Sequence, residues 1–258
     1  MTEKTPIITI RNLSNYLGEH WVHQNLDMTV YKNETYAIVG ASGAGKTTIL
    51  RNIIKLLKPT SGEIEVLGVD MLGAKPKETL QVRRRWGILF QQSALFSSMT
   101  VLENVMFPLL EFTSLSKKLC TELAKMKIGL TGLPISAANK LPGELSGGMK
   151  KRAALARAIA LDPEILFLDE PTSGLDPQGS EAIDDLIVQL CHSLELTTVL
   201  VTHDLDTMWC VADRVGFVGE KKMLAELPMK ELVKNPHPMI QAYFSGKRGK
   251  VRNKYYEE

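Results

Sequence analysis

The chain has 258 residues, 44% hydrophobic and 23% charged, a balance that excludes an intrinsically disordered protein and allows one sizeable core. A formal net charge of +2 is too small to argue for a nucleic-acid partner. No run approaches ~18 uninterrupted apolar residues and MTEKTP is not a basic-then-apolar leader, so the expectation is a chain that neither spans a membrane nor is secreted alone.

IITIRNLS (7–14) alternates apolar and polar residues as a half-buried strand does, and MTVYKNETYAIVG adds a second strand with a turn at Lys32 and Asn33, a small antiparallel start. TYAIVG (35–40) is a continuous apolar run entering a glycine-rich loop. TTILRNIIKLL then places Ile49, Ile53, Leu56 and Leu57 at helical spacing, with Pro59 and Gly62 as its stop, and EIEVLG reads as a further strand. From Leu102 to about Leu141 the chain is mostly helical by composition, with breaks expected at Pro108, Gly132 and Pro134. EILFLDE (164–170) and TTVLVTHD (197–204) are apolar strands with helical DDLIVQLCHSL between them. Strands buried on both faces and alternating with helices imply a parallel sheet. RVGFVGEKKMLAEL closes as a hairpin turning at Gly219 and Glu220, after which Pro236 and Pro238 are expected to break helix. Cys120, Cys191 and Cys210 have no metal-ligand spacing and suit free thiols.

GASGAGKT (40–47) fits the phosphate-loop pattern in full, between a strand and a helix as that pattern requires. Gly40, Gly43 and Gly45 let the backbone wrap a β-phosphate, Lys46 reaches the β- and γ-phosphate oxygens, and the Thr47 hydroxyl is a Mg²⁺ ligand. Two acids after a strand form a solvated loop when nothing else accompanies them. Behind a full phosphate loop, Asp169 reads as holding Mg²⁺ through water and Glu170 as polarising a water aimed at the γ-phosphate. His203 follows another apolar strand and should emerge at the same sheet edge, able to donate to the γ-phosphate or orient the water. Gln91 or its neighbour Gln92 could complete the Mg²⁺ shell or touch the water. His20, His23, His192 and His237 have no such context and read as surface or core residues. ELSGGMKKR (144–152) is a second anion seat, small residues opening onto a helix start, although one nucleotide rarely needs two cradles from one chain.

GASGAGKT, LFQ, LSGGMKKR, LFLDE, SGLD and a strand ending in TH, in this order, resemble the ATP-binding-cassette ATPases along nearly the whole chain. The resemblance implies an α/β fold of the P-loop NTPase kind. It would have a RecA-like parallel-sheet core, an N-terminal antiparallel β subdomain and an inserted helical subdomain near 96–160, within an ATPase domain 1–244 followed by a tail 245–258. It also implies a homodimer packed head to tail on ATP and Mg²⁺. Gly40, Ser42, Gly43, Ala44, Gly45, Lys46, Thr47 and Thr48 of one copy would hold the nucleotide, and Ser146, Gly147 and Gly148 of the other would meet its γ-phosphate. Asp176 in SGLD would lie at the dimer seam, and the family pattern selects Gln91 over Gln92. Tyr16, slightly out of register, or Trp21 would stack on adenine. Met149 stands where the family's LSGGQ has glutamine, so that amide contact is lost.

LSGGMKKRAALARAIALDPE and FQQSALFSSMTVLENVMFPL are most similar to the cytoplasmic ATPases of Mla/Mce-type phospholipid transporters. That similarity implies a transmembrane permease dimer, an MCE-domain lipid-binding protein, in some systems a STAS-domain regulator, and a place on the cytoplasmic face of a bacterial inner membrane. Small-solute importers and division-type regulatory cassettes remain alternatives. DNA-repair and translation cassettes bring a coiled coil, zinc-binding cysteines or a second cassette, for which this chain has no room. Leu95, Phe96, Met99 and Val101 would dock a permease helix or fill the helical lobe's core. The basic tail with Tyr255 and Tyr256 would be solvated, drawn to anionic lipid, or wrapped on the partner ATPase.

Overall fold

The computed structural model describes residues 4–245. Its chain forms two compact units, one of Met1–Lys75 with Leu200–Glu258 and one of Pro76–Val199.

The first unit opens with β1 (Pro6–Leu17) and β2 (His20–Tyr31), then β3 (Thr35–Gly40), α1 (Lys46–Ile53), β4 (Ser61–Val66) and β5 (Val69–Asp70). Ile8, Ile10, Leu26, Met28 and Val30 are buried at alternate positions, as the two-residue period of a strand dictates. β1 pairs antiparallel with both β2 and β4, giving the order β2-β1-β4-β5 expected of the antiparallel start. Gly62 lies inside β4 rather than stopping a helix: its φ is 108° beside an irregularity in β1, and a Cβ there would stand 2.6 Å from the Leu13 Cα.

Helix α1 ends at Ile53, short of Leu56, which is exposed. The stop precedes Pro59 because Lys55 turns left-handed (φ 59°). The Leu56 amide donates to the Arg51 carbonyl (2.8 Å) and the Lys55 amide to the Asn52 carbonyl (3.1 Å), the paired bonds of a Schellman closure made without glycine.

The second unit contains α2 (Pro76–Arg83), β6 (Trp86–Leu89), α3 (Val101–Phe112), α4 (Lys117–Leu130), α5 (Gly147–Ala158), β7 (Ile165–Asp169), α6 (Pro177–Ser193) and the start of β8 (Thr197–Val201). Strand order is β8-β7-β6, with β6 and β7 parallel. Val105, Leu109, Cys120, Ala124, Ile128 and Ala153 form the core shared by α3, α4 and α5. Pro108 does not break α3 as expected. The Thr100 and Glu103 capping box fixes the helix start, and burial of Val105 and Leu109 on either side outweighs the ~3 kcal/mol a helix-interior proline costs.

The chain then completes the first unit with α7 (Leu205–Val211), β9 (Arg214–Gly219), β10 (Lys222–Leu227), α8 (Met229–Leu232) and α9 (Pro238–Phe244). β9 is parallel to β3 and antiparallel to β10. Their turn falls one residue later than expected, at Glu220 and Lys221, both left-handed (φ 48° and 66°) as a two-residue hairpin of this twist requires. Pro238 starts α9 instead of preventing a helix: it occupies the first turn, where its missing N–H costs nothing, and Ile240 and Phe244 are buried. The tail from 246, with Tyr255 and Tyr256, lies outside the described residues. None of the three cysteines is in a disulfide.

Candidate functional site

In the first unit, β3 is buried at every position and delivers Gly40 to the phosphate loop. Two glycines are dictated by what lies beneath the loop. Gly40 has φ 148° and a Cβ there would stand 2.3 Å from the Val218 carbonyl oxygen. Gly45 has φ 88° and a Cβ there would stand 2.3 Å from His23 Nε2. The Lys46 ammonium donates to the Gly40 (3.0 Å) and Ala41 (3.1 Å) carbonyls, folding it back over the loop. Gly45 caps α1 and so offers no side-chain cap, and no acid stands in the first turn. The positive end of the helix dipole is thus left for an anion beside Ser42, Gly43, Ala44, Thr47 and Thr48.

Behind this loop sits a residue that sequence reading set aside. His23 is fully buried, its Nε2 3.3 Å from the Ala44 carbonyl oxygen and its Nδ1 3.1 Å from Asn15 Nδ2. Asn15 Nδ2 also donates to Asn52 Oδ1 (2.9 Å). An amide donor facing Nδ1 assigns the proton to Nε2, so neutral His23 donates to the loop. Burial pushes the His23 pKa below its usual range, with the Ala44 bond opposing. The only sequence sign was a histidine at an inward position of β2.

Tyr16 and Trp21 are register partners across β1 and β2, both partly exposed, with ring centroids 5.1 Å apart and edge to face. His203 is exposed, two residues beyond the end of β8.

In the second unit, Asp169 is the last residue of β7 and buried, and Glu170 follows with left-handed backbone (φ 50°). Gln91 lies two residues past β6, and its Nε2 donates to Ser173 Oγ at 3.3 Å, turning the amide oxygen the other way. Ser146 caps α5 by accepting from the Met149 amide (3.3 Å), while Ser146 and Gly147 are exposed and Gly148 has open space where a Cβ would be. Asp176 caps α6, its carboxylate accepting from the Gly179 amide at 2.6 Å.

The basic residues after the Ser-Gly-Gly turn do not all serve the seat they follow. Arg152 donates to the Thr131 (2.7 Å) and Ala182 (3.4 Å) carbonyls. The buried Lys151 donates to the backbone carbonyls of Gln91 (2.6 Å) and Glu170 (3.1 Å). Sequence reading took this lysine as part of a basic helix and gave it no role. Of the four docking candidates, Val101 and Leu95 belong to the helical core, whereas Phe96 is 43% exposed.

Among the described residues no cluster of three His, Cys, Asp or Glu forms a ready metal site, and no helix is long and apolar enough to cross a membrane.

The ABC transporter family profile matches residues 23–173. The intermembrane phospholipid transport ATP-binding protein MlaF of Haemophilus influenzae is 39% identical over 250 residues, 96% of this chain and 94% of that protein. The solved dimer of MJ0796, a bacterial ABC transporter cassette, superposes with a TM-score of 0.78 at 31% identity, covering 86% of this chain and 98% of that one. The post-hydrolysis MJ0796 dimer bound to ADP and phosphate superposes with the same TM-score at 30% identity, over the same shares of the two chains.

Proposed function

The chain belongs to the ABC transporter family, and from that premise we propose that it is the ATP-hydrolysing subunit of an envelope phospholipid transporter, acting as a homodimer that closes on two ATP. The observation that carries this reading is the likeness to MlaF along 96% of the chain. Lys46 and the uncapped start of α1 neutralise the β- and γ-phosphates. Glu170 accepts the proton of the attacking water, and His203 donates to the oxygens that gain charge. Thr47, Gln91 and Asp169 offer the hard oxygen donors that suit Mg²⁺, a cation usually held by one or two protein oxygens together with substrate phosphates. When bound it would screen phosphate charge. Ser146, Gly147 and Gly148 of each copy serve the nucleotide of the other, Tyr16 or Trp21 stacks on adenine, and Asp176 lies near the seam.

The finer partners follow the same reading: a permease dimer, an MCE-domain protein and a STAS-domain regulator, with the ATPase on the cytoplasmic face of the inner membrane. A groove of about 350 Å³ in the second unit supports permease docking. Phe96 and Phe107 line it with ring centroids 5.0 Å apart, and Arg157 lies 5.8 Å over Phe96. Aromatic walls flanked by a guanidinium fit a short amphipathic helix.

Purification of the tagged chain from native membranes, with mass spectrometry of companions and lipid, tests the assignment. An MCE-domain protein and a permease carrying phospholipid support it. A solute-binding or division protein in their place overturns the substrate. Phe96→Asp is expected to leave ATP binding intact and abolish coupled lipid transport; wild-type transport by the folded variant would remove Phe96 from the docking surface.

A further inference from the structure

Lys151 is 4% exposed, the fifth residue of α5, and joins three functional segments through one ammonium. It donates to the carbonyl of Gln91 at 2.6 Å and to that of Glu170 at 3.1 Å. Glu170 holds left-handed backbone (φ 50°), a conformation non-glycine residues rarely adopt and that persists only when its surroundings enforce it. Two further contacts close the same loop: the Ser173 amide donates to the Glu170 carbonyl (3.2 Å), and Gln91 Nε2 donates to Ser173 Oγ (3.3 Å). A lysine at such a position must satisfy its donors inside the protein, and these two carbonyls take two of its three. Burial lowers its pKa, opposed by the nearby charges of Glu170 and Asp169.

We propose that Lys151 is a positioning residue for ATP hydrolysis, one that locks the loops bearing Gln91 and Glu170 to the first turns of the helix beginning at Ser146. Its role runs through the Gln91 and Glu170 backbone carbonyls it holds, not through the reacting atoms. Its effect is to hold the backbone of the general base and of the Gln91 loop in register with the seat that reads the partner copy's γ-phosphate. A shift of α5 on dimer closure is thereby passed to both loops through a short, buried link. The inference rests on the roles proposed above for Glu170, Gln91 and Ser146.

Steady-state ATPase kinetics of the full-length chain with Lys151→Met, Lys151→Arg and Glu170→Gln test it. Because the seat on α1 is untouched, Lys151→Met is expected to lower kcat by about tenfold or more with KM for ATP within about twofold. Lys151→Arg, which keeps the donors, is expected to recover most of kcat. Wild-type kcat in folded Lys151→Met, or equal loss in Lys151→Arg, overturns the proposal. If Lys151→Met does not fold, Lys151→Gln decides, since a shorter neutral donor does not span both carbonyls: lost kcat at constant KM supports the lock and undiminished kcat overturns it. Full turnover in Glu170→Gln would instead remove the role of Glu170, so the two failures are distinct.

Discussion

Helices α1 and α5 both begin at glycine-rich turns, but the two starts are finished differently. Gly45 caps α1 with left-handed backbone and without a side-chain cap, whereas Ser146 caps α5 from extended backbone with its own hydroxyl. Their cations differ too. Lys46 folds over its own loop, while Lys151 and Arg152 are committed to carbonyls elsewhere in their unit. A helix start with no internal cap gains most from an anion, and one already capped gains less. On the proposed reading, nucleotide affinity would come mainly from the α1 start, and the α5 start would act once a γ-phosphate is brought to it.

The most severe test separates chemistry from both seats. Glu170→Gln leaves α1 and α5 unchanged and removes the proposed general base, so turnover should fall by about 10² to 10⁴ while ATP remains bound. Size-exclusion chromatography in Mg-ATP should then show a trapped dimer; a monomer would contradict the shared-site reading. Next in size, Lys46→Ala removes a charge-assisted phosphate contact and should raise the ATP Kd by about a hundredfold, read by fluorescent-nucleotide titration. Gly148→Asp is the counterpart on α5. Its new side chain enters open space, so the fold should hold. Monomer Kd should stay within about threefold, while turnover drops at least about tenfold because an acid meets the partner's γ-phosphate. A large Kd change in Gly148→Asp would erase the distinction between the seats.

Part of this was legible in the sequence because it depends on local pattern. The loop 40–47, buried β3 and β7, and the acids at the end of β7 follow from apolar runs ending in special residues. What escaped depends on tertiary contacts. The stop at Lys55 uses a left-handed lysine where a reader looks for glycine. Pro108 survives in α3 because burial on either side overrides propensity. Lys151 reads only as part of a basic helix because its acceptors, the carbonyls of residues 91 and 170, have no side-chain signature and lie 60 and 19 residues away.

The comparison also predicts a difference in pH response, the smallest effect. The α1 seat rests on His23, whose neutral form donates to Ala44 and is the form that burial favours; the described contacts of Ser146 include no such titratable support. The folded-state pKa is depressed below about 6.5, so below that value the unfolded chain takes up a proton that the folded chain resists. His23 thus favours folding above about pH 6.5, and that contribution declines as pH falls toward the folded-state value, at no more than about 1.4 kcal/mol per pH unit. In a chain of this size each kcal/mol lost would lower Tm by about 2–4 °C. Melting curves from pH 7.5 to 5.5 should show a steeper fall for wild type than for His23→Gln, which keeps a donor but does not titrate. A protonated His23 would also set Nδ1–H against the Asn15 amide already committed to Asn52. Acid should therefore loosen Ala44 and weaken ATP binding in wild type more than in His23→Gln; parallel curves in both assays would leave the phosphate loop independent of the histidine behind it.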